Sequence, residues 1–397
     1  MSSILIPATN EGFAICCETF LVYNSHRSVL YIHIPYCSRK CSYCGFYSLA
    51  GKHDRDDYVD ALCFELKQRA VVKPLKTIYF GGGTPSLLSL GQMERIVSTI
   101  REHYDLSQLQ EVTIEANPEN LGNDYLASLG SMDFFNRISI GVQSFDDNDL
   151  RAINRIHSSR QAFEAINNAA SSGFDNISVD LIMGLPGQSC DSWRDNLAAI
   201  SQMGDKIKHL SCYELTVEEN SILKRQIEMG RVTLPDNDVV ASMYDILQEW
   251  CVDNNFEQYE VSNYCRPGYH SRHNSRYWDG TPYIGCGAAA HSFDSDHRRW
   301  NAADVKAYIS GCMNGEVPYE EELLTIRDHV NEYVMTSLRT VEGMAKAKIP
   351  SEYANVIGKK IQPFVNEGLI VDTNEAYKPT KEGLLHADGI AASLFVD

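Results

Sequence analysis

Between residues 30 and 215 of the chain, short β-branched and apolar runs alternate with longer amphipathic segments, the pattern of repeated strand–helix units that build a parallel sheet. The spacing predicts strands at 30–35, 77–80, 112–115, 137–141, 177–182 and 209–215. Helices are predicted between them at 58–70, 90–103, 123–129, 159–171 and 192–203. In such folds ligands gather beyond the carboxyl ends of the strands, which is where the polar and glycine-rich segments fall. After Leu215 the alternation fades. A helix near 236–254 leads into a loop-rich stretch dense in Tyr, His, Asn and Gly, predicting a connecting segment over 236–302. Leu324, Val330, Val334 and Leu338 then recur near helical spacing before Gly343. With a second helix at 352–367 and short strands at 369–371 and 376–379, they predict a smaller, mainly helical, winged-helix-like domain over 303–397.

Charge narrows the partners. The chain has 397 residues, with 35 basic against 53 acidic side chains and a formal charge of −18, which repels phosphate backbones and anionic lipid. Nucleic acid is excluded as an expected partner, and a winged helix without a basic stripe points to packing or dimerisation instead. Twelve unevenly spaced cysteines without a secretory pattern read as reduced thiols in a cytoplasmic protein. No apolar run is long enough to span a bilayer. Residues 1–28 form an extension of unassigned purpose, where the neighbouring Cys16 and Cys17 read as incidental thiols.

The chemistry is concentrated at the strand ends. Cys37, Cys41 and Cys44 form a CxxxCxxC array just after the first predicted strand. Three thiolates from one loop can hold a four-iron cluster with one iron left open to a small chelating molecule. The alternatives are a structural zinc knot, which usually pairs CxxC doublets, or plain surface thiols. The run Phe80-Gly-Gly-Gly-Thr84-Pro85 follows the second strand and lets backbone amides approach a ligand, or else makes a tight turn. Glu115, Gln143 and Asp180 recur at later strand ends, as ligand contacts or as caps of the following helices. Arg155 offers a planar fork to a carboxylate, or is a solvated helix residue.

Taken together, CxxxCxxC with Tyr43 before the last cysteine, the Gly-Gly-Gly-Thr-Pro loop, Gly141-Val-Gln-Ser-Phe145 and Asp180-Leu-Ile-Met-Gly-Leu-Pro186 resemble radical S-adenosylmethionine proteins of the oxygen-independent coproporphyrinogen III oxidase group. The resemblance runs from about Tyr31 to the C-terminus. It implies an α/β fold: a partial (β/α)6 TIM-like radical S-adenosylmethionine barrel over 29–235 with a smaller helical C-terminal domain. It also implies a [4Fe–4S] cluster on the three cysteines, whose open iron is chelated by S-adenosylmethionine and whose electron cleaves the sulfonium bond. By the same resemblance Tyr31, Tyr43, Gly82, Gly83, Thr84, Glu115, Gln143, Arg155, Asp180 and Glu214 contact S-adenosylmethionine.

Within that family true oxidases resemble CxxxCxFCxC, whereas Phe46 stands here at the fourth cysteine. The run His273-Asn-Ser-Arg-Tyr277-Trp278 matches the HNxxYW motif of the haem chaperone branch. A histidine can ligate haem iron, Tyr277 and Trp278 offer flat apolar faces, and Arg272 and Arg276 can pair with propionates. Read without the family, the same run is a structured loop with an ordinary buried histidine. His33, His209, His270 and His291 are further candidate ligands, and Cys265 and Cys286 flank the motif as candidate or inert thiols. The resemblance implies a haem chaperone that passes haem to an acceptor such as a membrane respiratory enzyme, with homodimerisation as a family expectation. The rivals are a coproporphyrinogen III oxidase, a radical haem-degrading enzyme and a cluster-bearing structural or sensor protein.

Overall fold

The computed structural model describes residues 28–397 apart from 52 and 54, so the predicted extension with Cys16 and Cys17 lies outside the described residues except for Ser28. Strands β1 (Val29–Ile34), β2 (Thr77–Gly82), β3 (Glu111–Ala116), β4 (Arg137–Gln143), β5 (Ile177–Met183) and β6 (Ile207–Glu214) lie side by side in that order, all parallel. Helices α1 (Asp56–Gln68), α2 (Leu90–His103), α3 (Asn123–Ser131), α4 (Ser159–Ser171) and α5 (Cys190–Met203) carry the chain back between them. Capping boxes start three of these helices: Ser89 with Gln92, Ser158 with Gln161, and Ser189 with Ser192. This is the predicted partial six-strand barrel.

A parallel sheet covered on both faces normally reads as continuous apolar runs. Here the strands alternate. Leu30, Ile32, Ile34, Ile78, Phe80, Val112, Ile114, Ile138, Ile140, Val179 and Leu210 are fully or nearly fully buried in one large core with Leu62, Ile96, Ile166 and Leu197 of the helices. Each such side chain contributes about 1.5–3 kcal/mol through burial. Their neighbours on the strands turn to the inner face and are polar: Tyr31, His33, Thr77, Tyr79, Thr113, Glu115, Arg137, Ser139, Ser178, Asp180, His209 and Ser211. They satisfy one another, as where Ser139 Oγ donates to Asp180 at 3.1 Å and the Ser178 hydroxyl lies 2.8 Å from His209 Nδ1.

The stretch 236–302 is not a loop-rich connector. It places Ile284–Cys286 parallel to β1, and the antiparallel strands Glu257–Glu260 and Asn263–Cys265 beyond β6, which completes a nine-stranded sheet. Buried Glu65 of α1 fixes this return: it accepts from Gly287 N–H at 2.7 Å, Asn301 Nδ2 at 2.8 Å and Tyr308 Oη at 2.7 Å, and pairs with Arg69 at 3.3 Å. Residues 303–323 likewise belong with the barrel, because Val305, Tyr308, Cys312 and Val317 bury in its core. A separate small core forms around Val330, Val334, Leu338, Ile357, Ile361, Ile390 and Leu394. Its elements, Ile326–Ser337, Ser351–Asn366, Ile370–Asp372 and Ala376–Pro379, have the winged-helix-like order. This unit meets the edge strand Glu257–Glu260 through a Glu260–Thr340 bridge and bonds from Val261 N–H to Arg339 O (2.9 Å) and from Val341 N–H to Tyr259 O (3.3 Å). Among the described residues no helix is long and apolar enough to cross a membrane.

Candidate functional site

The loop that leaves β1 carries all three array cysteines, each half-buried. It is pinned from several sides. Gly83 N–H donates to Ile34 O at 2.9 Å, and a Cβ on Gly83 would stand 2.6 Å from Tyr36 O, so only glycine lets this loop lie against the root of the cysteine loop. Ser42 N–H reaches Ile153 O at 3.1 Å, Leu223 N–H reaches Ser42 O at 2.8 Å, and Asn154 Nδ2 reaches Lys40 O at 2.9 Å. Tyr43 packs into the small apolar cluster of Ile153, Ile182 and Leu185. Desolvation pushes the Cys44 thiol up to about 11 and raises Cys37, so both stay protonated until a bound cation displaces the proton.

Polar groups converge on these thiols. Thr84 Oγ1 donates to Cys37 Sγ at 3.7 Å, and Arg155 Nη1 to Cys41 Sγ at 3.5 Å. Arg155 also bonds Asn117 Oδ1 at 3.0 Å and the Gly141 carbonyl, while its Nε is buried without a hydrogen-bond partner. Asn117 links both sides by donating to Thr84 Oγ1 at 3.2 Å. It had gone unnoticed in sequence although it sits two residues after Glu115 in the same strand end. Gln143 stands at the tip of β4 with φ of 69°, a left-handed conformation a side chain rarely adopts, as occurs at constrained sites. Among the described residues the three array cysteines do not bring their sulfurs within 4.8 Å of one another.

Glu115 accepts from Tyr79 Oη at 2.6 Å and from Gly82 N–H at 3.2 Å. Gly82 has φ of 107°, and a Cβ there would stand 2.5 Å from the His33 ring. Desolvation raises Glu115 to about 7, with Asp180 adding to the rise and the Tyr79 and Gly82 donors opposing it. Asp180 is raised as well, by desolvation. The Tyr31 phenol lies 3.0 Å from His33 Nδ1 and its ring stacks on Tyr79 at 6.2 Å. Glu214 ends β6 and is solvent-exposed, the outlier of the predicted set.

The HNSRYW run forms the helix Arg272–Trp278, N-capped by Ser271, and docks at the opposite end of the strands from the cysteine loop. Glu111, which opens β3, accepts from the backbone N–H groups of Arg272 and His273, each at 2.9 Å. His273 is fully buried: its Nδ1 lies 3.0 Å from Thr77 Oγ1, its Nε2 2.9 Å from Tyr277 Oη, and its ring packs 5.0 Å from Tyr79. Desolvation lowers it to about 3, so the ring is neutral. The helix therefore holds His273 inside. Trp278 lies beneath the Arg339 guanidinium at 5.4 Å, with a buried Nε1 lacking a partner, and Arg276 pairs with Asp279 at 3.0 Å. Of the other histidines, buried His209 bonds Tyr259 Oη at 2.7 Å, and half-exposed His270 lies 3.1 Å from Glu257. Cys286 is buried in the large core.

The Radical SAM superfamily profile matches residues 31–200, and the HemN C-terminal domain profile residues 324–386. The chain is 32% identical over 372 residues to the heme chaperone HemW of Lactococcus lactis, covering 92% of this chain and 97% of that protein. It is 31% identical to heme chaperone HemW of Escherichia coli, covering 91% and 96%. Among solved structures, coproporphyrinogen III oxidase (HemN) from Escherichia coli superposes with a TM-score of 0.82 over 96% of this chain and 94% of that one, at 23% identity, a likeness of fold.

Proposed function

The chain belongs to the radical S-adenosylmethionine family of HemW-type haem chaperones, and from that premise we propose that it binds haem and delivers it to an acceptor protein, with a [4Fe–4S] cluster and S-adenosylmethionine at the carboxyl ends of its strands. The observation that carries the cofactor half is Arg155, a half-buried cation that touches Cys41 of the array and keeps a buried Nε unpartnered. Cys37, Cys41 and Cys44 would hold three irons. Arg155 would take the methionine carboxylate and Glu115 or Asp180 the amine or ribose hydroxyls. Gly82, Gly83, Thr84 and Gln143 would line the rest, with Tyr31, Tyr43 and Glu214 at the margins. When bound, the pair supplies one-electron chemistry, while the chain's own work is to position it and exclude water.

The haem half rests on the HNSRYW helix. Metal-ligating histidines generally have one nitrogen fixed by a hydrogen bond so that the other faces the metal. His273 has that form, neutral and held by Thr77 through Nδ1, with Tyr277 covering Nε2. Haem would displace the Tyr277 hydroxyl as the helix opens, with Trp278 against the porphyrin face and Arg272 and Arg276 near its propionates. An anaerobic haem titration of cluster-reconstituted wild type and His273→Ala tests this. Saturation at one haem per chain, altered in the variant, is expected; absence of saturable binding overturns the reading. Anaerobic formation of protoporphyrinogen from coproporphyrinogen III would establish the oxidase instead, despite Phe46.

A further inference from the structure

On the outer hairpin of the main sheet, Glu257, Cys265 and His270 bring a carboxylate oxygen, a thiol sulfur and an imidazole nitrogen all within 4.8 Å of one another. The register produces this meeting. Glu257 and Cys265 are cross-strand partners in the antiparallel pair, so their side chains leave the same face of the ladder. The turn after Asn263–Cys265, closed by Tyr269 N–H on Arg266 O at 3.0 Å, brings back His270. Its ring stacks on Tyr259 at 4.4 Å and 21°, which holds one nitrogen 3.1 Å from Glu257. Cys265 is fully buried, while the side chains of Glu257 and His270 are 51% and 48% exposed. The sulfur is the floor of the site and solvent its mouth. Among the described residues no other three groups of this kind are so close.

We propose that Glu257, Cys265 and His270 bind a zinc-type divalent ion in a four-coordinate site completed by water. The donor set decides the metal class. Thiolate, imidazole and carboxylate together suit zinc, whereas calcium and magnesium take oxygen ligands throughout. With bonds of about 2.0–2.3 Å, tetrahedral zinc needs donors about 3.3–3.8 Å apart. Glu257 and His270 already stand 3.1 Å apart, and the Cys265 sulfur, within 4.8 Å of both, needs to approach by at most about 1.5 Å, within reach of two half-exposed side chains. On binding, the Cys265 S–H bond breaks, the sulfur–metal bond forms and the proton passes to solvent. Thiolate and carboxylate then balance the charge of the ion. The site is separate from the array cysteines and does not depend on the haem reading. It sits one residue before Ser271, the cap of the HNSRYW helix, so an ion here would fix the entry to that helix.

The test uses the full chain with Cys37, Cys41 and Cys44 all changed to Ala, so that the array thiols cannot take the metal. Equilibrium dialysis against zinc, with metal analysis of the retained protein, is expected to find a single equivalent, and cobalt in its place a thiolate charge-transfer band. His270→Gln and Glu257→Gln, at half-exposed positions where folding is retained, are expected to weaken binding by about tenfold or more, and Cys265→Ser to remove the cobalt band. Zinc held equally by the background and His270→Gln, or no zinc held by the background, overturns the proposal and leaves Glu257–His270 as a surface contact at 3.1 Å alone.

Discussion

Tyr79 donates its phenol to Glu115 at 2.6 Å, and the same ring packs 5.0 Å from His273. One side chain thus joins the HNSRYW helix at one end of the strands to the candidate cofactor site at the other.

Glu115 sets a pH dependence. Desolvation raises it from 4.5 to about 7, so the folded chain favours the neutral acid. Its contribution to stability is full below about pH 4.5 and is lost as pH rises through about 7. Glu115→Gln stays neutral throughout. Urea denaturation at about pH 5 and pH 8 is expected to show the variant gaining stability relative to wild type at the higher pH; an unchanged difference would remove Glu115 as the source.

Arg155→Lys keeps the charge but loses the planar fork that reaches Asn117, Gly141 and Cys41 together. Calorimetry on the cluster-reconstituted protein is expected to show S-adenosylmethionine binding weaker by about 1.5–3 kcal/mol, roughly ten- to a hundredfold. Wild-type affinity would mean that Arg155 serves the loop and not the ligand.

Tyr277→Phe removes the hydroxyl that covers His273 Nε2. If iron takes that nitrogen, the variant binds haem more tightly than wild type and keeps the same absorption bands, since the competing bond is gone. Equal affinity in the two proteins would show that His273 only anchors the helix.

Glu65→Ala leaves Arg69 without its acid and strips partners from Tyr308, Asn301 and Gly287 in a buried setting. The expected cost is about 3–5 kcal/mol in chemical denaturation, with Glu65→Gln losing less because it keeps part of the hydrogen bonding. A cost below about 1 kcal/mol would mean that water replaces the network.

The six barrel strands and their five helices were legible because long segments hold a clear period and serine caps mark several starts. Cys37, Cys41 and Cys44 were legible because they lie in one short loop. The strands at 263–265 and 284–286 are three residues each, too short to show a period, and exist because neighbouring strands offer partners. The inner face could have been read: Tyr31 and His33, Thr113 and Glu115, Arg137 and Ser139, Ser178 and Asp180 all alternate with apolar residues, yet the strands were read as apolar runs. The burial of His273 could not, because its partner Thr77 lies 196 residues away. The same holds for Glu65 and Tyr308, 243 residues apart.

The strand Glu257–Glu260 ends the nine-stranded ladder, and residues 339–341 of the C-terminal unit bond along its outer side. Uncovered, such a strand is a template on which a stranger's backbone can add. Residues 339–341 of the small C-terminal unit occupy backbone groups at the end of this strand, and a chain cut before them would bare those groups while its cysteine loop stays intact.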